Sequence, residues 1–236
     1  MILGSHNSLS YARPTKWWMR LLGFTAKCQT LSIKEQIDAG VRYFDIRVRW
    51  NKNERAFKPA HGPITFDCSI YDALGQIEMV FGYVRIILEQ NGERKDQDVI
   101  DYNFKNFCRE IEDRYPNIRY QYAVRKYDWK ELYSFTNRKL LTVEDKYSST
   151  TGLFWNKTGK FIDKIDDLWP WLYAKLHNRD IFVKADTDKQ VLLIDFVELC
   201  NFDPKVRKYG TNQENKKAKE DTVATLNSVG EELFGV

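Results

Sequence analysis

Apolar and polar positions alternate along the chain in two rhythms. Short apolar runs of strand type occur at MILG, VRYFDIRV, YVRIILE, RYQYAV, KLLTVEDKY, DIFVKA and VLLIDFVEL. Segments with the helical period lie between several of them: LSIKEQIDAG, SIYDALGQIEMVFGY, NFKNFCREIEDRY and the Pro-interrupted FIDKIDDLWPWLYAKLH. The first of these helices has its own punctuation. Ser32 and Glu35 stand at capping-box spacing, Ile33 and Ile37 supply an apolar face, and Gly40 offers a stop. The charged stretch RWNKNERAFKPAHG after the second strand reads as a hairpin or a loop.

Strands that alternate with helices predict an α/β fold with a mainly parallel sheet, and a small, irregular TIM-type (β/α) barrel closes the pattern best. Charged residues fall at the carboxyl ends of five strands, in GSHNS, YFDIRV, RIILE, TVEDKY and LLIDFV. That is where such barrels carry their chemistry. A single catalytic domain is expected over 1–203. Residues 204–236 turn polar and charged, and read as a connecting segment plus a terminal helix packed on the same domain, with disorder as the competing reading.

Composition narrows the function classes. With 236 residues, 43% of them apolar, the chain can bury one substantial core. The net charge of +4 comes from 37 basic and 33 acidic residues, too even a mixture for a nucleic-acid footprint. The four cysteines form no C-x-x-C pair and no cysteine–histidine spacing of zinc type, so they read as free, partly buried thiols. No apolar run approaches the length of a membrane span and no secretory signal is visible. With Met1 as the native start, a cytoplasmic or peripheral membrane location is expected.

The chemistry-bearing residues are few. Asp45 and Arg47 stand two apart on one strand and so share a face, as an internal salt bridge or as a catalytic pair. His6 and His61 lie before and after them. Two imidazoles can accept and donate a proton at neutral pH, while a guanidinium binds phosphate and offsets its charge. In TKWWMRLLGF, Trp17 and Trp18 between basic residues suit either a membrane interface or a buried helix face.

GSHNS, SIKEQIDAGVRYFDIRV and the following HG, with TVEDKY and LLIDFV later, resemble the X-domain of the phosphatidylinositol-specific phospholipase C family, in its bacterial, metal-independent form. The resemblance runs from Met1 to about Val197 and implies a phosphodiesterase that cleaves phosphatidylinositol or a related inositol phosphodiester through a 1,2-cyclic phosphate. It implies His6 as general base oriented by Asp195, His61 as general acid, Arg47 on the phosphate and Asp45 as its positioning neighbour. Asn7, Glu89, Asp145 and Tyr147 fall at substrate-binding positions, and Arg94 and Arg125 are candidates for an inositol-contacting arginine. The partners implied are an inositol phospholipid and a peripheral membrane surface, with no cofactor.

Two residues depart from the bacterial pattern. Asn7 replaces an aspartate, and its amide oxygen is expected to accept from the His61 ring. Glu89 stands where bacterial relatives tend to have lysine. Both match the calcium-dependent branch, so Asn7, Asp45 and Glu89 form an alternative calcium ligand set. Arg47 stands at the remaining ligand position of that branch, where its charge opposes a divalent ion. A phosphodiesterase on another substrate and a non-catalytic lipid-binding member of the fold are the remaining alternatives.

Overall fold

The structure, a computed structural model, describes residues 2–89, 97–124, 142–145, 170–178 and 190–199. Among the described residues eight strands appear in chain order: β1 (Ile2–Ser5), β2 (Tyr43–Asn51), β3 (Ala56–His61), β4 (Ile64–Thr65), β5 (Tyr83–Leu88), β6 (Arg119–Val124), β7 (Thr142–Asp145) and β8 (Gln190–Ile194). The α-helices are α1 (Trp17–Ala26), α2 (Ile33–Asp38), α3 (Ile70–Glu78), α4 (Gln97–Arg114) and α5 (Pro170–His177). The 204–236 segment, the strand expected at DIFVKA and the helix expected before Pro170 lie outside the described residues.

Six strands form a parallel ribbon in the order β7, β8, β1, β2, β5, β6. Successive strands are neighbours, and the last described strand returns to the first, β8 pairing with β1 from Ile2↔Val191 to Ser5↔Ile194. A singly wound barrel is built in this way, and the expected α/β barrel class is the one observed. The RWNKNERAFKPAHG stretch is a hairpin: β3 runs antiparallel to the distal half of β2, with β4 folded against it.

The helix signals act as their chemistry dictates. Ser32 and Glu35 make the reciprocal capping box of α2. Gly40 at φ 96° reverses the chain just after it, in the left-handed region where glycine has no Cβ penalty. Helix α3 stops at Glu78, short of the apolar tail MVFGY. The chain turns there through Phe81 at φ 52°. Helix α5 is described from Pro170 onward, and the segment before it lies outside the described residues.

Strand alternation divides the core. Leu3, Phe44, Ile46, Val48, Val84, Ile86, Leu88, Leu192 and Ile194 belong to one cluster with the apolar faces of α2, α3 and α4. The opposite parity, Ile2, Tyr43, Tyr83, Val191 and Leu193, forms a separate cluster within the barrel. Gly4 belongs to this inner layer. A Cβ there would stand 2.9 Å from Val191 Cγ1, 3.0 Å from Leu193 Cδ1 and 3.3 Å from Tyr43 Cδ1, so neighbouring side chains fill the space that glycine leaves. Above that apolar floor the same parity brings up Asp45, Arg47, Arg85, Glu89 and Asp195. The barrel is greasy at one end and charged at the other.

Candidate active site

His6 and Asp195 follow directly on β1 and β8, which are hydrogen-bonded neighbours. His6 N–H donates to Ile194 O at 2.9 Å, and its Nδ1 lies 2.6 Å from Asp195 Oδ1. Both residues are buried, and both are followed by a residue in the left-handed region: Asn7 at φ 41° and Phe196 at φ 46°. A bulky phenylalanine rarely adopts that conformation. Gln29 fixes the two turns by donating from Nε2 to both His6 O and Ile194 O at 3.0 Å and accepting from Val197 N–H. Asn178, at the end of α5, adds a 2.6 Å bond to Asp195 O.

The second strand supplies the cation. Arg47 donates from Nε to Asp45 Oδ2 at 3.0 Å and from Nη1 to Glu89 Oε1 at 2.9 Å, while its Nη2 contacts His6 Nε2. That pattern sets the His6 tautomer. With a proton on Nδ1 toward Asp195, the ring lone pair is at Nε2, facing a donor. Asp45 is fully buried, and also accepts from Arg85 Nε at 2.8 Å and from the Asn7 backbone N–H at 3.2 Å. Burial works against its ionisation. The Arg85 and Arg47 guanidinium groups outweigh that and lower its pKa from 3.8 to about 2.

His61 closes the site from the hairpin. Its ring centroid is 5.8 Å from that of His6, with the rings nearly perpendicular. Its Nδ1 donates to Ala26 O at 2.9 Å. Ala26 is the last residue of α1, so this carbonyl is one that the helix itself leaves unbonded. The expected bond from His61 to the Asn7 amide oxygen is not made: Asn7 Nδ2 reaches Ala60 O at 3.4 Å and Asn7 Oδ1 is buried without a hydrogen-bond partner. The physical reason is that Ala26 O already takes the Nδ1 proton. Glu89 accepts from Gly62 N–H next door, which ties the hairpin end to β5.

His6, Asn7, Asp45, Arg47, His61, Glu89 and Asp195 are thus gathered at one end of the barrel. Asp145 ends β7 in register with Leu193, two residues before Asp195. Tyr147, Arg94 and Arg125 lie outside the described residues. Two participants escaped sequence reasoning. Arg85 is the lone basic residue in the run YVRIILE, on the same parity as Glu89, and that parity was the available signal. Cys28 is fully buried with its Sγ 3.7 Å from His61 Nδ1, and nothing in its sequence neighbourhood announces it.

Trp17 and Trp18 begin α1. Only Met19 and Ala26 of this helix are buried, packed with Ile64 and Phe66. Trp17 is 73% exposed and Leu21 70%, with Trp18, Leu22 and Phe24 each at least 41% exposed. The buried-face reading of the tryptophans is therefore set aside. No helix among the described residues is long and apolar enough to cross a membrane.

No protein-family model matches the chain. A 1-phosphatidylinositol phosphodiesterase of Listeria monocytogenes is 28% identical over 165 residues, covering 67% of this chain and 45% of that protein. The match spans less than half the length of this relative. Among solved structures, the phosphatidylinositol-specific phospholipase C from Listeria monocytogenes aligns with a TM-score of 0.50 at 17% identity, covering 89% of this chain and 91% of the other. An S. aureus phosphatidylinositol-specific phospholipase C aligns over 52% of this chain with a TM-score of 0.38, too low to carry an argument. The chain is therefore similar in sequence to a bacterial 1-phosphatidylinositol phosphodiesterase over two thirds of its length, and it shares its fold with a phosphatidylinositol-specific phospholipase C.

Proposed function

We propose that the protein is a phosphodiesterase of the phospholipase C type, acting on phosphatidylinositol or a related inositol phosphodiester. The observation that carries the reading is the His6 ring, held at Nδ1 by Asp195 and meeting Arg47 at Nε2, with His61 across from it. A hydroxyl that takes Arg47's place at Nε2 gives its proton to His6. The guanidinium then turns to a phosphoryl oxygen and offsets the charge that builds there. Because the attacking 2-hydroxyl and the phosphorus belong to one molecule, orientation supplies much of the rate, and a 1,2-cyclic phosphate results. His61 delivers a proton to the departing diacylglycerol oxygen. The partial negative charge at the carboxyl end of α1 suits a ring that must carry its proton into the reaction. Hydrolysis of the cyclic ester reverses the two roles.

Asp45 and Glu89 act through Arg47. Each accepts one of its N–H groups, which fixes the plane of the guanidinium for bidentate contact with phosphate. The same bonds argue against calcium. Two of the three oxygen ligands of the alternative set are engaged by a buried cation, and a divalent ion would have to displace it. The site does not fit calcium, and no step is assigned to one. Asp145 and Tyr147 are proposed to hold the inositol ring.

The exposed apolar face of α1 supports peripheral binding to a lipid surface. Trp17, Trp18, Leu21, Leu22 and Phe24 lie beside Lys16 and Arg20, a combination suited to the water–lipid boundary. This helix ends on the carbonyl that orients His61, so the lipid-facing element and the acid group are adjacent.

The reading is tested by following diacylglycerol release from phosphatidylinositol vesicles. His6→Ala and His61→Ala should each lower turnover by roughly a hundredfold or more. Unchanged turnover in both variants removes them from the mechanism.

A further inference from the structure

Cys28 is a buried thiol that the phosphodiesterase reading leaves without a task, and unlike the buried Cys108 it stands beside the two histidines. It lies between α1 and α2, its backbone N–H donating to Ser10 Oγ at 2.9 Å. Its Sγ and one ring nitrogen from each of His6 and His61 all lie within 4.8 Å of one another. The three residues come from the end of β1, the α1–α2 connection and the end of β3, so no spacing in the sequence betrays the cluster.

Two imidazoles and a thiol are donors for a borderline-soft divalent ion of zinc type, and poor ones for calcium or magnesium. In a tetrahedral zinc site such donors stand about 3.4–3.6 Å apart. The widest gap, up to 4.8 Å, must close by up to about 1.2–1.4 Å, and His61 must either give up its Nδ1 bond to Ala26 O or ligate through Nε2. His6 already has the outer partner that ligating histidines use: Asp195 holds Nδ1 at 2.6 Å and so presents Nε2. A water or a substrate oxygen completes the fourth position.

Arg47 opposes the ion. Its Nη2 contacts His6 Nε2, so the guanidinium and a metal compete for one lone pair. That competition makes the site one for reversible occupation. We propose that His6, Cys28 and His61 bind a zinc-type divalent cation reversibly, and that the bound ion inhibits by taking both imidazoles out of acid–base work. Only the inhibition rests on the phosphodiesterase reading; the binding does not. Cys28 enters as thiolate, and its proton leaves to solvent as the ion binds.

The test is titration of the full chain with cobalt(II), read by absorption. The expected result is a thiolate-to-cobalt charge-transfer band that saturates at one equivalent, is displaced by zinc, disappears in Cys28→Ser and persists in Cys68→Ser. Arg47→Gln should bind the metal at least tenfold more tightly, although it loses turnover, and this variant stands in should Cys28→Ser not fold. Absence of the band in the wild-type protein, its survival in folded Cys28→Ser, or unchanged affinity in Arg47→Gln overturns the proposal. Metal binding through Cys28 in a chain that cleaves no inositol lipid upholds the site and discards the phosphodiesterase reading. Cleavage without the band does the reverse.

Discussion

Arg85 and Asp45 are direct partners across β2 and β5, in register, and the Arg85 Nε donates to Asp45 Oδ1 at 2.8 Å. Asp45 therefore stands between two guanidinium groups, Arg85 on one oxygen and Arg47 on the other. The arrangement keeps a fully buried carboxylate ionised. Removing Arg85 leaves that charge with half its compensation. Arg85→Met is expected to lower stability by about 3 kcal/mol at neutral pH, and the double variant with Asp45→Asn to recover part of the loss. Urea denaturation of the two single variants and the double variant gives the coupling directly. An additive cycle would contradict the pairing.

The same carboxyl sets an acid limit on stability. Its pKa is about 2 in the folded protein and 3.8 when unperturbed, so the unfolded chain takes up the proton first as pH falls. A depressed folded value contributes stability above the unfolded pKa, and that contribution fades as pH drops through the folded one. Asp45 should supply about 2 kcal/mol above pH ~4, lost progressively toward pH ~2. Comparing acid unfolding of wild type and Asp45→Asn checks this. The wild-type curve should steepen across that window, and the variant should lack that component.

Gly4 couples barrel packing to the site two residues further on. A methyl group there meets Val191, Leu193 and Tyr43 side chains at 2.9–3.3 Å. Gly4→Ala is expected to cost about 1–3 kcal/mol from overpacking. It should also lower kcat, because β1 carries His6. A variant as stable as wild type in denaturant titration would show that the inner layer has room to move.

The α1 face predicts a separation of binding from chemistry. Trp17→Ala combined with Leu21→Ala removes two largely exposed apolar side chains without touching the catalytic residues. Partitioning onto phosphatidylinositol vesicles in a sedimentation assay should fall by roughly tenfold or more, since about 1.4 kcal/mol corresponds to a factor of ten. Turnover of a water-soluble inositol phosphodiester should hold. Equal loss in both assays would place the two residues in a structural role.

Strand-end chemistry was legible in the sequence because a strand has a fixed two-residue repeat. Asp45 and Arg47 could be put on one face, and His6 and Asp195 at the ends of apolar runs, without knowing the fold. The capping box of α2 was readable for the same local reason, whereas the stretch after β2 read as a hairpin or a loop and only the β2–β3 pairing decides between them. What connects these residues was not. The Ala26 carbonyl that takes the His61 proton lies 35 residues away in the chain. Cys28 reaches the histidines only because the α1–α2 connection is hydrogen-bonded to the segments that follow β1 and β8, through Ser10 and Phe196. Arg85 had a visible parity, but its partner follows from strand register, which pairwise periodicity does not specify. The exposure of Trp17 was equally hidden, since an apolar helix face reads the same whether protein or lipid covers it.

His6, Arg47 and His61 are proposed to cleave an inositol phosphodiester through a cyclic intermediate without calcium. Phosphorus NMR of phosphatidylinositol vesicles treated with the protein, with and without a calcium chelator, tests it most directly. An inositol 1,2-cyclic phosphate resonance is expected to grow at the same rate in both samples. No phosphorus product from a folded sample, or a product that disappears with chelator, would contradict it.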